Sequence, residues 1–127
     1  MAEDKLAQRR IAERHGRRSE TLAALLLRLK GYRILARRIR TPLGEIDLIA
    51  LSPRGAVCFV EVKARASARD AVESVSARQR ERIARAAQAY LAARPKLSGR
   101  AMRFDMVTVA RGGLPRHLPG AWRPEGA

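Results

Sequence analysis

Leucines at helical spacing mark the first regular element of the chain. Each of four leucines lies three or four residues from two of the others, and these are Leu22, Leu25, Leu26 and Leu29. This spacing predicts an amphipathic helix over residues 16–30, because residues three or four apart share one face of a helix. Gly31 follows and is typical of the left-handed residue that ends a helix. The polar, basic segment before the predicted helix, residues 1–15, is expected to be frayed.

Three runs of alternating apolar and polar residues predict strands. The first, residues 32–40, stops at Pro42, because proline cannot donate a hydrogen bond to a sheet. The next two, residues 44–51 and 56–65, are joined by SPRG at residues 52–55, where every position suits a turn. These two runs therefore form a predicted β-hairpin.

A second helix and a last strand follow the hairpin. Asp70 and Glu73 have the spacing of a capping box, which begins a helix, and Pro95 marks where this helix must end. One polar residue interrupts the apolar stripe of this helix, which consists of Val72, Val75, Gln79, Ile83, Ala86, Ala87 and Tyr90. Residues 101–110 alternate again and predict a strand.

The order of these elements, αβββαβ, predicts an α/β fold. A hairpin followed by a helical crossover into a further strand implies a mixed β-sheet flanked by helices. We expect one folded domain over residues 16–110 and a Pro/Gly-rich C-terminal segment over residues 111–127.

Basic residues dominate the composition. The chain has 27 Lys and Arg against 12 Asp and Glu, a formal charge of +15, yet 46% of its residues are hydrophobic, so it can fold around a core. Most of the basic residues are arginines, whose guanidinium groups bind phosphate through two hydrogen bonds. This composition favours a nucleic acid as partner. The single cysteine, Cys58, cannot form an internal disulfide, and from the hydrophobic pattern we expect neither a signal peptide nor a membrane span. We therefore expect a cytoplasmic protein without membrane contacts.

Acidic residues of the two hairpin strands are predicted to meet. If the hairpin is symmetric about its turn, Asp47 lies opposite Glu61, and Glu45 lies opposite Lys63 as a salt bridge. Opposed carboxylates are destabilising unless a cation lies between them, so we expect Asp47 and Glu61 to hold Mg²⁺ or Mn²⁺. An ammonium group beside such a metal site completes a set that can cleave phosphodiester bonds. The alternative is that these charges only cover the solvent face of an antiparallel sheet.

The hairpin segments resemble those of a bacterial protein family. GEIDLIA at residues 44–50 and FVEVKAR at residues 59–65 are similar to the YraN family, also called UPF0102. The resemblance extends over about residues 13–122 and includes GRRSE at residues 16–20 and RFD at residues 103–105.

The same residues resemble a nuclease signature. Asp47 followed by Glu-Val-Lys at residues 61–63 is similar to the PD-(D/E)xK motif of restriction-endonuclease-like proteins, although Ile46 stands where that motif has proline. The family is also similar to archaeal Holliday junction resolvases, in which a helix glutamate, matched here by Glu20, completes the site. The resemblance implies a restriction-endonuclease-like core, with Glu20, Asp47, Glu61 and Lys63 as catalytic residues.

Further polar residues are candidates for a supporting role. Glu20 is either a member of the metal site or an acid favoured by the positive end of the helix dipole. Gln79, on the apolar stripe, either reaches the site or is a buried structural glutamine. Glu45, two residues before Asp47, is expected beside the metal ligands. His117 is either a general base or, with Trp122, part of a C-terminal loop that closes over the core.

Two clusters of arginines are predicted to follow the phosphate backbone, the alternative being a solvated surface. One cluster lies at the end of the first strand and the other at helical spacing on the second helix, and they comprise Arg37, Arg38, Arg40, Arg78, Arg82 and Arg85. Asp105 is expected to form an ion pair with an arginine.

These observations predict a Mg²⁺-dependent endonuclease that hydrolyses phosphodiester bonds in DNA rather than RNA, including branched structures. The resolvase resemblance implies a homodimer, because a junction needs two sites. Two alternatives remain. One is a nucleic-acid-binding protein with the same fold and no turnover, and the other is a basic interaction module for ribosomal RNA or an acidic protein.

Overall fold

Five strands form one mixed β-sheet in the computed structural model, which describes residues 2–64, 67–110 and 112–124. The strands are β1 Arg33–Thr41, β2 Gly44–Leu51, β3 Val57–Lys63, β4 Met102–Val109 and β5 Pro115–Leu118. The helices are α1 Ala2–Leu29, α2 Ala68–Glu73, α3 Ala77–Ala92 and α4 Pro95–Ser98. The strands lie in the sheet in chain order, with β3 and β4 parallel and every other neighbouring pair antiparallel. The predicted α/β class and mixed sheet flanked by helices are therefore confirmed.

The first helix is longer than the leucine pattern predicted. It begins at Ala2 rather than near residue 16, so the helix start that the leucine pattern predicted is wrong. Its end is as predicted, because Gly31 adopts a φ of 87° and the N–H of Tyr32 donates to the carbonyl of Leu27 at 2.9 Å. Glycine suits this position, since side chains with a Cβ are strained at positive φ.

The hairpin has the predicted register. Leu48 pairs with Val60 and Leu51 with Val57, so the numbers of paired residues sum to 108. Arg65, the last residue of the predicted second strand, lies outside the described residues. The buried strands of this hairpin carry apolar side chains on both faces, as expected for a sheet covered on both sides.

Each face of the sheet packs against a helix. On one face α1 contributes Ala23, Ala24 and Leu27 to a core that includes Leu48 and Val60. On the other face α3 contributes Ile83, Ala87 and Tyr90 to a core that includes Ile49 and Phe59. The hairpin is therefore part of the central layer of the fold, with a helix packed on each of its faces.

The segment predicted as one long helix after the hairpin is two helices. α2 is capped by Ser67, whose side chain accepts from the N–H of Asp70, and α3 begins after the N-cap Ser76. The capping box belongs to Ser76 and Gln79, not to Asp70 and Glu73, so that assignment is wrong. The apolar residues of the predicted stripe do enter the core, but Gln79 is exposed because the break turns it into a capping residue.

The Pro/Gly-rich C-terminal segment contains a fifth strand that the sequence pattern did not predict. Asp105 of β4 is fully buried and accepts hydrogen bonds from Arg103 at 2.7 and 2.8 Å. His117 of β5 lies 2.8 Å from the same carboxylate through Nε2, and its Nδ1 faces the ammonium of Lys30. Both ring nitrogens of His117 thus contact charged side chains, one on β4 and one on Lys30 just after α1, which argues against a general base.

Trp122 closes the end of the α3-side core. Its ring stacks on Phe104 with the centroids 4.4 Å apart, and it is 5% exposed. The prediction of a C-terminal segment that covers the core therefore holds for this residue. Arg111 and residues 125–127 of the predicted segment lie outside the described residues.

Candidate active site

The carboxyl groups of Asp47 and Glu61 meet on the central hairpin. The regular pairing of β2 with β3 ends at Leu48 and Val60, and one residue further Asp47 Oδ2 accepts a hydrogen bond from the N–H of Val62 at 2.8 Å. This bond fastens the Asp47 side chain across the hairpin, where it also shares a hydrogen bond with Glu61. The two carboxyl groups therefore lie close together, one residue beyond the end of the regular β2–β3 pairing.

Burial and repulsion act together on Glu61. Burial of the side chain raises its pKa, the charge of Asp47 raises it further, and the hydrogen bond shared with Asp47 adds to this, giving a pKa of about 8. The ammonium of Lys63, with Nζ 3.7 Å from Glu61 Oε1, acts in the opposite direction but does not restore the ordinary value. Glu61 is therefore harder to ionise than an ordinary glutamate, and a cation beside it would relieve the repulsion.

Lys63 is paired differently from the prediction. It contacts Glu61 on its own strand, whereas Glu45 pairs with Arg40 across β1 and β2 at 3.1 Å. The predicted Glu45–Lys63 salt bridge is therefore wrong. The reason is that regular β2–β3 pairing stops before Glu45, which is exposed and faces β1 instead.

A cleft of about 280 Å³ opens beside Asp47. It lies between α1, which contributes Gly16, Arg17 and Glu20, and the first two strands. The strand residues that line it are Arg38, Arg40, Glu45, Ile46 and Asp47. Glu20 thus shares a cleft with Asp47, as the resemblance implied, and cationic and anionic side chains surround the cleft in equal number.

The partner of Glu20 in this cleft is Arg38, whose Nε donates to the Glu20 carboxylate. β1 pairs Arg37 with Leu48 and Ile39 with Ile46, so Arg38 occupies the position across from Asp47. Its φ is 51°, the one positive value outside glycine among the described residues. The sequence predicted Arg38 only as a contact to nucleic acid, because a strained backbone at a non-glycine residue has no signature in the residue pattern.

The irregularity at this point extends into β2. Ile46 and Ile49 both pack in the α3-side core, although residues three apart on a regular strand point to opposite faces. The alternation is therefore interrupted between them, next to Asp47. Such interruptions re-aim side chains, and this one directs polar groups of two neighbouring strands toward the α1 cleft.

The donor set suits Mg²⁺, which usually binds one or two carboxylates and keeps several waters. Asp47 and Glu61 provide two adjoining carboxylates whose mutual repulsion a divalent cation would remove. In residues 2–64, 67–110 and 112–124, however, no group of three or more His, Cys, Asp or Glu side chains is gathered closely enough to hold a metal ion. Glu20, which the resemblance implied as a further carboxylate of the site, is turned to Arg38.

The helix arginines form a second, shallow groove of about 350 Å³. Its lining residues come from α3 and from the β1–β2 turn, and they are Pro42, Leu43, Arg78, Glu81, Arg82 and Arg85. Arg85 pairs with Glu81 at 2.7 Å, whereas Arg78 and Arg82 are exposed. Gly44 lets α3 approach this turn, because a Cβ at residue 44 would lie 3.3 Å from the Cβ of Arg82.

The strand arginines are not one surface cluster. Arg37 donates to Thr21 of α1 at 3.2 Å, Arg38 pairs with Glu20, and Arg40 pairs with Glu45. The structure therefore brings Arg38 and Arg40 into the cleft. Gln79, predicted beside the metal ligands, caps α3 instead, so that prediction is wrong.

Fold and site together define an α/β protein with a carboxylate–lysine site on the central hairpin of a mixed sheet. The chain belongs to the family described as "Uncharacterised protein family UPF0102", whose model matches residues 19–109. The match includes all four predicted catalytic residues. None of the helices in the described part of the chain is both long and apolar enough to cross a membrane.

Relatives from other bacteria match most of the chain. UPF0102 protein amb4503 of Paramagnetospirillum magneticum is 54% identical over 117 residues, covering 88% of this chain and 89% of its own length. UPF0102 protein BRADO0179 of Bradyrhizobium sp. is 56% identical over 115 residues, covering 91% and 81%. A UPF0102 protein of Parvibaculum lavamentivorans is 50% identical over 113 residues, covering 89% and 84%.

Proposed function

We propose that this protein is a Mg²⁺-dependent endonuclease that hydrolyses phosphodiester bonds in DNA. The observation that carries the proposal is the meeting of Asp47 and Glu61 with Lys63 beside them. A buried carboxylate that a neighbouring carboxylate repels lowers the stability of the folded protein, and replacing either one would remove this cost. A surface without function therefore gives no reason to keep both. A metal site needs both.

Each residue has a distinct role in this proposal. Asp47 and Glu61 hold the divalent cation, which supplies the Lewis acidity that phosphodiester hydrolysis requires. The Lys63 ammonium, 21% exposed, offsets negative charge on the phosphate and orients the attacking water. Glu20 lines the same cleft as Asp47 and completes the set of carboxylates. An in-line attack then needs little beyond positioning and charge stabilisation.

The order of the motif supports a restriction-endonuclease-like assignment. An aspartate on one hairpin strand and Glu-x-Lys on the next, with a helix glutamate across a cleft, follow the PD-(D/E)xK arrangement. DNA is the proposed substrate, branched structures included, and the net charge of +15 favours a polyanion.

Two copies of the chain would supply the two sites that a junction requires. Light scattering with and without a four-way junction tests whether the protein forms this dimer.

The test is nicking of supercoiled plasmid. We expect open-circular product with Mg²⁺ or Mn²⁺ and none with EDTA, and the Asp47→Asn variant purified in parallel excludes a contaminating nuclease. A matched RNA and a four-way junction in the same assay separate the substrate classes. Absence of cleavage of every substrate with either ion would contradict the proposal.

A second candidate is a nucleic-acid-binding protein of the same fold that does not cleave. The observation in its favour is the pairing of Glu20 with Arg38, which leaves the described residues without a three-carboxylate set. Salt-dependent DNA binding that is indifferent to divalent ions, together with intact plasmid, would select this candidate.

A further inference from the structure

Arg38 is held in a conformation that arginine rarely adopts. Its φ of 51° lies in the left-handed region, where a side chain with a Cβ is strained, and it does so within a strand. Such strain persists only where the surrounding structure imposes it, and it is concentrated at functional sites. Here it falls across from Asp47, at the mouth of the α1 cleft.

The strain directs a cation to a carboxylate of the candidate site. Arg38 uses its Nε to bind Glu20, whose side chain is only 14% exposed, while the Arg38 side chain itself is 42% exposed. Arginine has five N–H donors, so most donors of the guanidinium group remain available to another acceptor. Within the described part of the chain, the structure gives Arg38 no hydrogen-bond acceptor other than Glu20.

We propose that Arg38 is a displaceable counter-ion of the site. With no divalent cation bound, it neutralises Glu20; when a divalent cation recruits Glu20, the guanidinium is released to bind a DNA phosphate at the same cleft. This inference rests on the proposed function, since it assumes that Asp47 and Glu61 bind the cation.

The charges around the cleft make the exchange reasonable. A divalent cation beside Asp47 raises the local positive charge, which repels the Arg38 guanidinium and attracts the Glu20 carboxylate. The two free oxygens of a phosphodiester can accept hydrogen bonds from the released guanidinium group in the bidentate geometry that arginine prefers. Metal and DNA then favour each other's binding through one side chain, and this coupling must be reciprocal.

The test compares Arg38→Met with Arg40→Met. Both variants remove one positive charge from the same strand and cleft, but Arg40 pairs with the exposed Glu45 instead of Glu20. Isothermal titration measures Mn²⁺ affinity, and fluorescence anisotropy of a short duplex measures DNA affinity in EDTA and in Ca²⁺, with the duplex checked for integrity afterwards.

We expect Arg38→Met to bind Mn²⁺ about tenfold more tightly than the parent, within the usual range of coupling, because Glu20 is then free. Arg40→Met should bind Mn²⁺ within about twofold of the parent, as an exposed pair couples weakly. In the parent, Ca²⁺ should raise DNA affinity several-fold; Arg38→Met should lose most of this gain, and Arg40→Met should keep it. If Arg38→Met folds poorly, Arg38→Gly provides the same test, because glycine accepts the positive φ.

The outcomes separate the two proposals. Equal Mn²⁺ affinities in the two variants, or an undiminished effect of Ca²⁺ on DNA binding by Arg38→Met, would overturn the role of Arg38 while leaving the nuclease proposal intact. A parent protein that binds no Mn²⁺ would overturn both proposals.

Discussion

The carboxyl groups of Asp47 and Glu61 share a hydrogen bond across two strands, and burial, the charge of Asp47 and this contact together raise the pKa of Glu61 to about 8. The sharing is enforced by the fold, because the N–H of Val62 holds Asp47 in place and the sheet buries Glu61. The metal-free site is consequently less stable than an uncharged version of it would be. A cation removes that penalty only if both charges are present.

Replacing Asp47 with Asn should reveal this penalty. We expect Asp47→Asn to raise the metal-free melting temperature by about 2–5 °C, as follows from relieving about 1 kcal/mol of like-charge repulsion in a domain of this size. The stabilisation that Mg²⁺ or Mn²⁺ gives the parent by mass action should vanish, and cleavage should end. Differential scanning fluorimetry with EDTA and with each ion measures the first two effects.

The control for Asp47→Asn is Glu45→Gln. It removes a negative charge from the same strand and cleft, but from a side chain paired with Arg40 at the surface. If Asp47→Asn lowers metal-free stability and no divalent ion stabilises the parent, Asp47 is a structural ion-pair partner and the nuclease proposal falls.

Lys63 should be needed for cleavage and not for binding. Lys63→Ala removes the ammonium beside Glu61, and we expect plasmid nicking to fall by a factor of about 100 or more, the usual loss for a group that stabilises developing charge. Metal and DNA affinities should stay within a few-fold of the parent. Unimpaired nicking by Lys63→Ala would reduce Lys63 to an ion-pair partner of Glu61.

The raised pKa of Glu61 predicts how metal-free stability depends on pH. Its pKa is about 8 in the folded protein against an ordinary value of 4.5, so the folded state holds the proton more tightly than the unfolded state. The stabilising contribution is complete below pH 4.5 and is lost as the pH rises through about 8. Urea unfolding in EDTA should therefore give a midpoint that falls between pH 5 and pH 9 in the parent, and falls less in Glu61→Gln. Equal slopes for the two proteins would show that Glu61 titrates normally.

Much of this site could be predicted from the sequence because hairpin geometry is local. A four-residue turn between two alternating strands fixes which residues lie opposite as far as Leu48 and Val60, so the closeness of Asp47 and Glu61 one residue further could be predicted without any tertiary information. The ion-pair partner of Lys63 was predicted wrongly. That prediction extended the hairpin register past Leu48 as far as Glu45, where β2 no longer pairs with β3 and pairs only with β1.

Other features depend on tertiary contacts that periodicity does not contain. Gln79 fits an apolar stripe by number, but a helix break at Ser76 makes it a capping residue. β5 is four residues long, and the buried Asp105 contacts both His117 within it and the N–H of Gly120 just after it, for which proline-rich sequence gives no signal. The strained φ of Arg38 likewise follows from neighbouring strands and not from its own residue type.

The arginine groove predicts a graded effect on DNA binding. Arg78 and Arg82 lie exposed along it, so the double variant Arg78→Ala, Arg82→Ala should bind DNA more weakly, with a salt slope smaller by roughly 1.8, or about 0.9 per phosphate contact. The melting temperature should not change, since neither side chain is in the core. Arg69→Ala is the control, because Arg69 is also exposed and helical but is paired with Glu73 on α2. A salt slope equal to that of the control would leave the groove as solvated surface.

Asp105 should be the residue on which the C-terminal strand depends. Burial alone would raise its pKa, but hydrogen bonds from Arg103, His117 and the N–H of Gly120 outweigh burial and lower the pKa to about 2. Because the folded-state value lies below the ordinary 3.8, the stabilisation is present above pH 3.8 and is lost as the pH falls through about 2.

Asp105→Asn removes the charge that these three donors share, and we expect unfolding to become easier by about 2–3 kcal/mol at pH 7. This is no more than the smallest usual cost of breaking a buried ion pair, because Arg103 is 31% exposed and can turn to water. Urea unfolding measures the difference, with Asp70→Asn, an exposed carboxylate of α2, as the control expected to change stability by less than about 0.5 kcal/mol. The gap between parent and Asp105→Asn should narrow as the pH is lowered from 5 toward 2. A gap that is absent at pH 7, or that does not narrow in acid, would show that β5 is fastened by the apolar contacts of Leu118 and Trp122 instead of by this carboxylate.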